Sequence, residues 1–177
     1  ALVNDIMDQK IDKISNPQRS LITGRLIPAD YWRGAVIMTV ISLGAARYVN
    51  YTFLILILAY IIVTFFYSCP PLRLRQIVGI SNFIIGLAAL ICFLAGFAIF
   101  APQQSFLDFP LTLIFITVIL VTAVSIVKDL KDIEGDAANQ IQTIPSLLKR
   151  RFPVATVYRL IGILIAASFL VVPLVFY

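Results

Sequence analysis

The 177-residue chain is 60% hydrophobic and only 13% charged, with a mean hydropathy of +0.98; soluble domains carry about a quarter charged residues, so this composition belongs in a membrane. It contains no His, which excludes zinc or haem sites built on imidazole, and its two cysteines, Cys69 and Cys92, lie far apart and read as small hydrophobes. The net charge of +5 comes from residues that flank apolar runs and form no basic face, which argues for a role in topology and against nucleic acid as a partner.

In chain order, residues 1–13 read as the end of a helix on which Asp5, Asp8 and Asp12 fall at i, i+3 and i+7 and share one face. Asn4 and Asp5 arrive with almost nothing before them, so the expectation is that further helices precede this segment. Residues 14–28 form a loop by composition, with Ser15, Asn16, Pro17, Gly24 and Pro28 as breakers and Arg19 and Arg25 as its charges. Spans are then expected at about 31–49, 51–67, 77–100, 110–127 and 154–177. The first two are near the minimum, since ~20 residues at ~1.5 Å each cross a hydrocarbon core of ~30 Å. Tyr31 and Trp32 anchor the first span at the interface, and Asn50 marks a very short turn into the second. Y-S-C-P-P-L-R-L-R at 67–75 is a proline-stiffened basic loop. Within the third span, Gly86 and Gly96 permit close helix packing, and Asn82 is expected to face the protein interior. A short loop at 101–109 and a polar loop at 137–153, with Lys149, Arg150 and Arg151, separate the remaining spans. The last span contains Pro173 and has no closing hydrophilic tail, so helices are expected beyond it too.

The apolar run 111–127 leads into K-D-L-K-D-I-E-G-D at 128–136, where Asp129, Asp132 and Asp136 repeat the spacing of the first triad. The two triads hold six of the nine acids, and Glu134 is a seventh. Like charges at this spacing repel by a few tenths of a kcal/mol per pair on a helix, and near a membrane they cost more. One such triad is readily a solvated face. Two with the same spacing, each beside an apolar span, point to a cation held between carboxylates. Each helical hairpin leaves and returns, so parity puts both triads on one side. That side holds Lys10, Lys13, Arg19, Arg25, Arg73, Arg75, Lys128, Lys131 and the three basic residues at 149–151, which is eleven of the fourteen Lys and Arg. The positive-inside rule makes it cytoplasmic.

Mg²⁺ takes oxygen ligands, commonly one or two carboxylates plus substrate phosphates. Arg19, Arg25, Arg73 and Arg75 are placed to hold further phosphate oxygens, and apolar helices would accept a hydrocarbon tail. A lipid diphosphate meets these requirements together. Metal and basic groups would stabilise the departing diphosphate and leave an allylic carbocation on the tail.

The motifs resemble a family. N-D-x-x-D-x-x-x-D at 4–12, N-P-x-R at 16–19 and Gly24-Arg25 are similar to the first signature of the UbiA intramembrane prenyltransferases. Y-S-x-P-P at 67–71 resembles their middle loop, and K-D-x-x-D-x-E-G-D with T-I-P at 143–145 their second signature. The resemblance covers nearly the whole chain in the right order. It implies an all-α polytopic transmembrane helical bundle, one domain over 1–177, with about five spans plus the end of one from a nine-helix protein. It also implies an Mg²⁺-dependent enzyme that moves an isoprenoid from its diphosphate to an aromatic or lipid-precursor acceptor. Residue by residue, Asp5, Asp8, Asp129 and Asp132 become the catalytic acids, with Asp12 and Asp136 completing the metal set. Asn4, Arg19, Tyr67, Ser68, Arg73, Arg75 and Lys128 become candidates for diphosphate contacts.

The chain departs from the family pattern at Arg19-Ser20, where members commonly have Arg-Pro, and at Gln140-Ile141-Gln142, where they often have Gly-x-Lys. Gln142 is similar to the chlorophyll synthase and homogentisate branch, and E-G-D to the geranylgeranylglyceryl-phosphate branch, so acceptor and tail length stay open. Two other readings compete. A binding protein of this fold would keep metal and prenyl diphosphate but have lost catalysis. An ion-coupled transporter would need acids in mid-span, whereas Asp30 and Asp108 lie at span or loop ends. The long apolar spans exclude a soluble isoprenyl diphosphate synthase, which also pairs Asp motifs.

Overall fold

The computed structural model describes residues 2–131, 133, 136 and 142–176, and every regular element among them is helical. Of the residues singled out above, Asp132, Glu134, Gly135, Gln140 and Ile141 lie outside the described residues. Two short helices, α1 (Leu2–Met7) and α2 (Gln9–Ser15), carry the first triad. Long helices follow as α3 (Pro28–Val49), α4 (Tyr51–Ser68), α5 (Ile80–Phe100) and α6 (Leu111–Lys131). The short α7 (Ile144–Lys149) leads into the last long helix, α8 (Val154–Phe176).

Three of these, α4, α5 and α6, are long and apolar enough to cross a bilayer. At most 17% of the most apolar stretch of any of the three is buried inside the protein, so most of their apolar surface faces outward, where hydrocarbon would cover it. α3 is long enough but less apolar, because Asp30, Arg33 and Arg47 lie within it. The apolar part of α8 among the described residues is the shorter stretch Val154–Leu170.

The long helices are joined by local chemistry. Pro28 opens α3, where its missing N–H costs nothing, and the Asp30 carboxylate accepts from Ile27 N at 3.2 Å. Asn50 caps α4 by accepting from Phe53 N at 2.7 Å, while its amide donates to Ala98 O at 2.9 Å, fastening the α3–α4 turn to the end of α5. Thr143 and Ser146 cap α7 reciprocally: Thr143 N donates to Ser146 Oγ at 2.7 Å and Ser146 N to Thr143 Oγ1 at 3.3 Å. The T-I-P segment therefore starts a helix.

α5 packs against both α4 and α6, and α6 packs against α8. Leu56 of α4 and Ile91, Ala95 and Ala98 of α5 form one core, and Ile126, Val157 and Ile161 form a second between α6 and α8. Between apolar helices in hydrocarbon the cohesion is close van der Waals contact, which small residues permit. Gly86 shows it: a Cβ there would collide with the Thr122 hydroxyl and come within 2.8 Å of Val118 O, whereas Gly96 has nothing within 4 Å. α5 and α6 thus come into close contact at Gly86, one turn from Asn82.

Candidate functional site

α4 ends on Tyr67 and Ser68, and these consecutive residues reach both acidic segments. The buried Ser68 donates from Oγ to Asn4 Oδ1 at 3.2 Å. Tyr67 meets Lys128 through a hydrogen bond from Nζ to its hydroxyl. The ammonium, 5.1 Å from the ring centroid, lies out beyond that hydroxyl, so the contact is not a cation over the ring face. Both acidic segments accordingly sit at the same end of the bundle.

In the first segment the helix is interrupted at Asp8 (φ −100°, ψ 8°), where the sequence predicts one continuous turn pattern. The backbone bonds Asp8 N to Asn4 O and Asp12 N to Asp8 O, both 2.9 Å, keep its direction. The interruption falls where the Asp8 side chain is engaged twice, by Asn4 Nδ2 at 2.6 Å and by an ion pair with Arg75. Arg19 Nη1 stands between the other two carboxylates, 2.8 Å from Asp5 Oδ1 and 2.7 Å from Asp12 Oδ2. Asn16 Nδ2 donates to Asp12 Oδ1 at 3.1 Å. Burial lifts the Asp12 carboxyl above the usual carboxylate range, opposed by the bond from Asn16 and by the charge of Arg19.

The loop after α4 supplies two more guanidiniums. Arg73 adopts a left-handed backbone (φ 41°), which costs a non-glycine residue about 1 kcal/mol. Its Nη2 donates to Met7 O at 3.0 Å, tying the loop to α1. Arg75 follows on a short 3₁₀ turn, Leu74–Gln76, and only 15% of its side chain is exposed. Gly79 (φ 76°) then reverses the chain into α5, a conformation that favours glycine. Cys69 is buried at the head of this loop, and burial holds its thiol above the ordinary range, with Arg73 pulling the other way.

In the second segment, α6 runs past the apolar stretch and carries Asp129, 6% exposed, in its last turn. Asn82 Nδ2 donates to Asp129 Oδ2 at 3.1 Å and to Ser125 Oγ at 3.0 Å. Lys128 Nζ lies 3.7 Å from Asp129 Oδ1. Asp136 is buried at 2% exposure. Arg25 and Lys131 are exposed.

Among the described residues, no three acids converge closely enough to enclose a metal ion by themselves. The repeated spacing predicts a cation held between carboxylates, and in the first segment a protein cation, Arg19, stands between Asp5 and Asp12. The donors nonetheless suit Mg²⁺. They are hard carboxylate oxygens, mostly buried, and Mg²⁺ needs only one or two of them when phosphate and water complete its shell. Asp5 and Asp8 on one side and Asp129 on the other would hold it.

Three contacts were not legible as such in the motifs: the double engagement of Arg19, the Asn16–Asp12 bond, and the reach of Asn82 to Asp129. Asn82 had a signal, a lone amide in an apolar span, and so did Ser125, one helical turn before Asp129.

Known proteins share both sequence and fold with this chain. Digeranylgeranylglyceryl phosphate synthase of Methanopyrus kandleri is 28% identical over 144 residues, covering 81% of this chain and 50% of that protein. Chloroplastic chlorophyll synthase of Oryza sativa is 28% identical over 155 residues, covering 81% of this chain and 39% of that protein. A solved UbiA homologue from Archaeoglobus fulgidus, bound to DMAPP and Mg²⁺, superposes with a TM-score of 0.73 at 19% identity, covering 98% of this chain and 69% of the other. The chain spans about half the length of the archaeal synthases it matches. The pattern of the UbiA prenyltransferase family matches residues 1–177, and with that match on a helical bundle whose two acidic segments meet at one end, this chain belongs to the UbiA prenyltransferase family.

Proposed function

We propose that the protein is an integral-membrane prenyltransferase that moves an isoprenoid chain from its diphosphate to a lipid-precursor or aromatic acceptor. The observation that carries this reading is the junction at the end of α4. There Tyr67 and Ser68 link Lys128 beside Asp129 to Asn4 beside Asp5, with Arg19, Arg73 and Arg75 around the first segment. Charge of both signs in one place suits a ligand that is itself a polyanion with its counter-ion. The relatives named for digeranylgeranylglyceryl phosphate and chlorophyll synthesis support the class of reaction.

In this reading Arg19, Arg75 and Lys128 turn from the carboxylates and the Tyr67 hydroxyl toward diphosphate oxygens as these arrive. Asn4, Ser68 and Tyr67 orient the leaving group through hydrogen bonds, and Arg73 holds the loop in place. Asp5, Asp8 and Asp12 from one side, and Asp129, Asp132 and Asp136 from the other, balance the positive charge gathered there. Mg²⁺, when bound, supplies Lewis-acid neutralisation of the diphosphate. The bond from the prenyl C1 to oxygen breaks with its electron pair leaving on diphosphate, C1 joins the acceptor, and the acceptor's displaced proton passes to diphosphate or water. The apolar helix faces above the site accommodate the tail. We place the acidic end on the cytoplasmic side, supported by eleven of the fourteen Lys and Arg falling on that side of the expected spans.

The test uses the full-length protein in detergent with C10–C20 prenyl diphosphates and a mixed pool of glycerophosphate, phenol and quinol acceptors. Release of diphosphate that requires Mg²⁺, an acceptor, Asp5 and Asp129 is the expected result, and the labelled product names the acceptor. Tight Mg²⁺-dependent binding with no release under any acceptor would overturn catalysis in favour of a binding protein.

A further inference from the structure

Asn82 is the third residue of α5, 1% exposed, and belongs to neither acidic segment. Its amide orientation is fixed by its neighbours. The Ser125 hydroxyl spends its proton on Thr122 O at 2.8 Å, so Ser125 Oγ can only accept from Asn82. The carboxylate of Asp129 is likewise an acceptor. The NH₂ group of Asn82 must therefore face both, at 3.0 and 3.1 Å, and its Oδ1 faces Ser81 Oγ, which donates at 3.3 Å. A flipped amide would set oxygen against oxygen at both contacts. The reach depends on the close approach of α5 and α6 at Gly86, where no side chain fits between Thr122 and Val118.

We propose that Asn82 is the positioning residue of the second acidic segment: it commits Asp129 Oδ2 to the protein interior and so sets the direction in which the carboxylate is presented to the cation and diphosphate. The inference rests on the reading of Asp129 as a cation ligand. An oriented carboxylate loses no torsional freedom when it binds, and partners of this kind are worth about 10- to 100-fold in metal affinity or activity.

The experiment measures Mn²⁺ binding to the full-length protein in detergent, with inorganic diphosphate present, by electron paramagnetic resonance. Variants are Asn82→Leu, Asn82→Ala, Ser125→Ala and Asp129→Ala, each first checked by thermal melting. Asn82→Leu is expected to weaken Mn²⁺ about tenfold, and to lower kcat at saturating metal while leaving the KM for prenyl diphosphate within about twofold. Ser125→Ala keeps the bond to Asp129 and is expected to change neither quantity by more than about twofold. If Asn82→Leu does not fold, Asn82→Ala carries the same prediction. Loss of Mn²⁺ in Asp129→Ala with unaltered binding in both Asn82 variants would overturn the proposal and leave the proposed function standing. Equal weakening by Ser125→Ala would also overturn it, as a packing effect. Unaltered Mn²⁺ binding in Asp129→Ala would remove the ligand reading itself, and the proposal with it.

Discussion

The two acidic segments have the same spacing of Asp residues and are partnered in different ways. In the first, the carboxylates face full charges borne on other elements: Arg19 from the loop after α2 holds Asp5 and Asp12, and Arg75 from the turn before α5 holds Asp8. In the second, Asp129 takes the neutral amide of Asn82 at Oδ2, while the ammonium of the adjacent Lys128 lies 3.7 Å from Oδ1 and also bonds the Tyr67 hydroxyl. A guanidinium on a loop is an exchangeable counter-ion, whereas an amide in the first turn of a packed helix carries no charge and is a fixed hydrogen-bond donor. Under the proposed function, a charged ligand would displace the partners of the first segment, and Asn82 would keep its place beside the second. Equal motifs do not make equal sites.

The widest contrast lies in the removal of single acids. Asp8→Ala takes away the carboxylate that faces the mostly buried Arg75, and breaking such a pair costs about 3 kcal/mol or more. Asp129→Ala leaves the Asn82 amide without one acceptor, a loss of about 1–3 kcal/mol, and removes the carboxylate beside the partly exposed Lys128, a screened pair worth about 1 kcal/mol or less. On the proposed function both are expected to reduce prenyl transfer by about 10- to 100-fold, while chemical or thermal unfolding separates them, Asp8→Ala being the less stable. Equal destabilisation would break the distinction between charged and neutral partners.

Gly86→Val tests the fixed segment from behind. The added carbons collide with Thr122 and Val118, forcing α5 and α6 apart at a cost of about 1–3 kcal/mol. Gly96→Val, with open space around it, is the control and is expected to leave the melting temperature within a degree or two of the parent. A smaller change follows from Tyr67→Phe, which deletes the hydroxyl that receives Lys128, a contact worth about 1 kcal/mol. Lys128 is then drawn to Asp129, and turnover is expected to fall severalfold with little change in unfolding. Steady-state rates beside melting curves read both.

How much of this was legible in sequence depends on the range of the cause. Hydropathy is a local property, so the apolar helices and their order could be read from it, and so could the acidic repeat. Ends were less legible. α3 starts at Pro28, before its apolar run, because proline suits a helix start, and α6 continues through Lys131 because backbone bonding is indifferent to the loss of hydropathy. Gly86 and Gly96 look alike in sequence and differ only in what lies opposite. The partners of the carboxylates were least legible. Arg75 reaches Asp8 only because Arg73 and Gly79 turn the loop through left-handed backbone, and Asn82 reaches Asp129 only because two helices touch at Gly86.

The smallest predicted effect bears most directly on exchangeability. Arg19 Nη1 occupies the place between Asp5 and Asp12 that a divalent cation would contest, and 38% of its side chain is exposed, so solvent screens the pair. Partly exposed pairs are worth about 1 kcal/mol or less, which corresponds to a factor of about five in a competing equilibrium. Arg19→Gln is therefore expected to tighten Mn²⁺ binding a few-fold when diphosphate is absent, because the competitor is gone. With diphosphate present the sign reverses, since the same residue now contributes charge to the phosphate oxygens, and affinity for metal and diphosphate together falls. Calorimetric titration with and without inorganic diphosphate checks both signs. A fall in both conditions would make Arg19 a structural brace and would leave the first segment as fixed as the second. A rise in the first and a fall in the second would show a protein cation that keeps the acidic segment neutral until its ligand brings another.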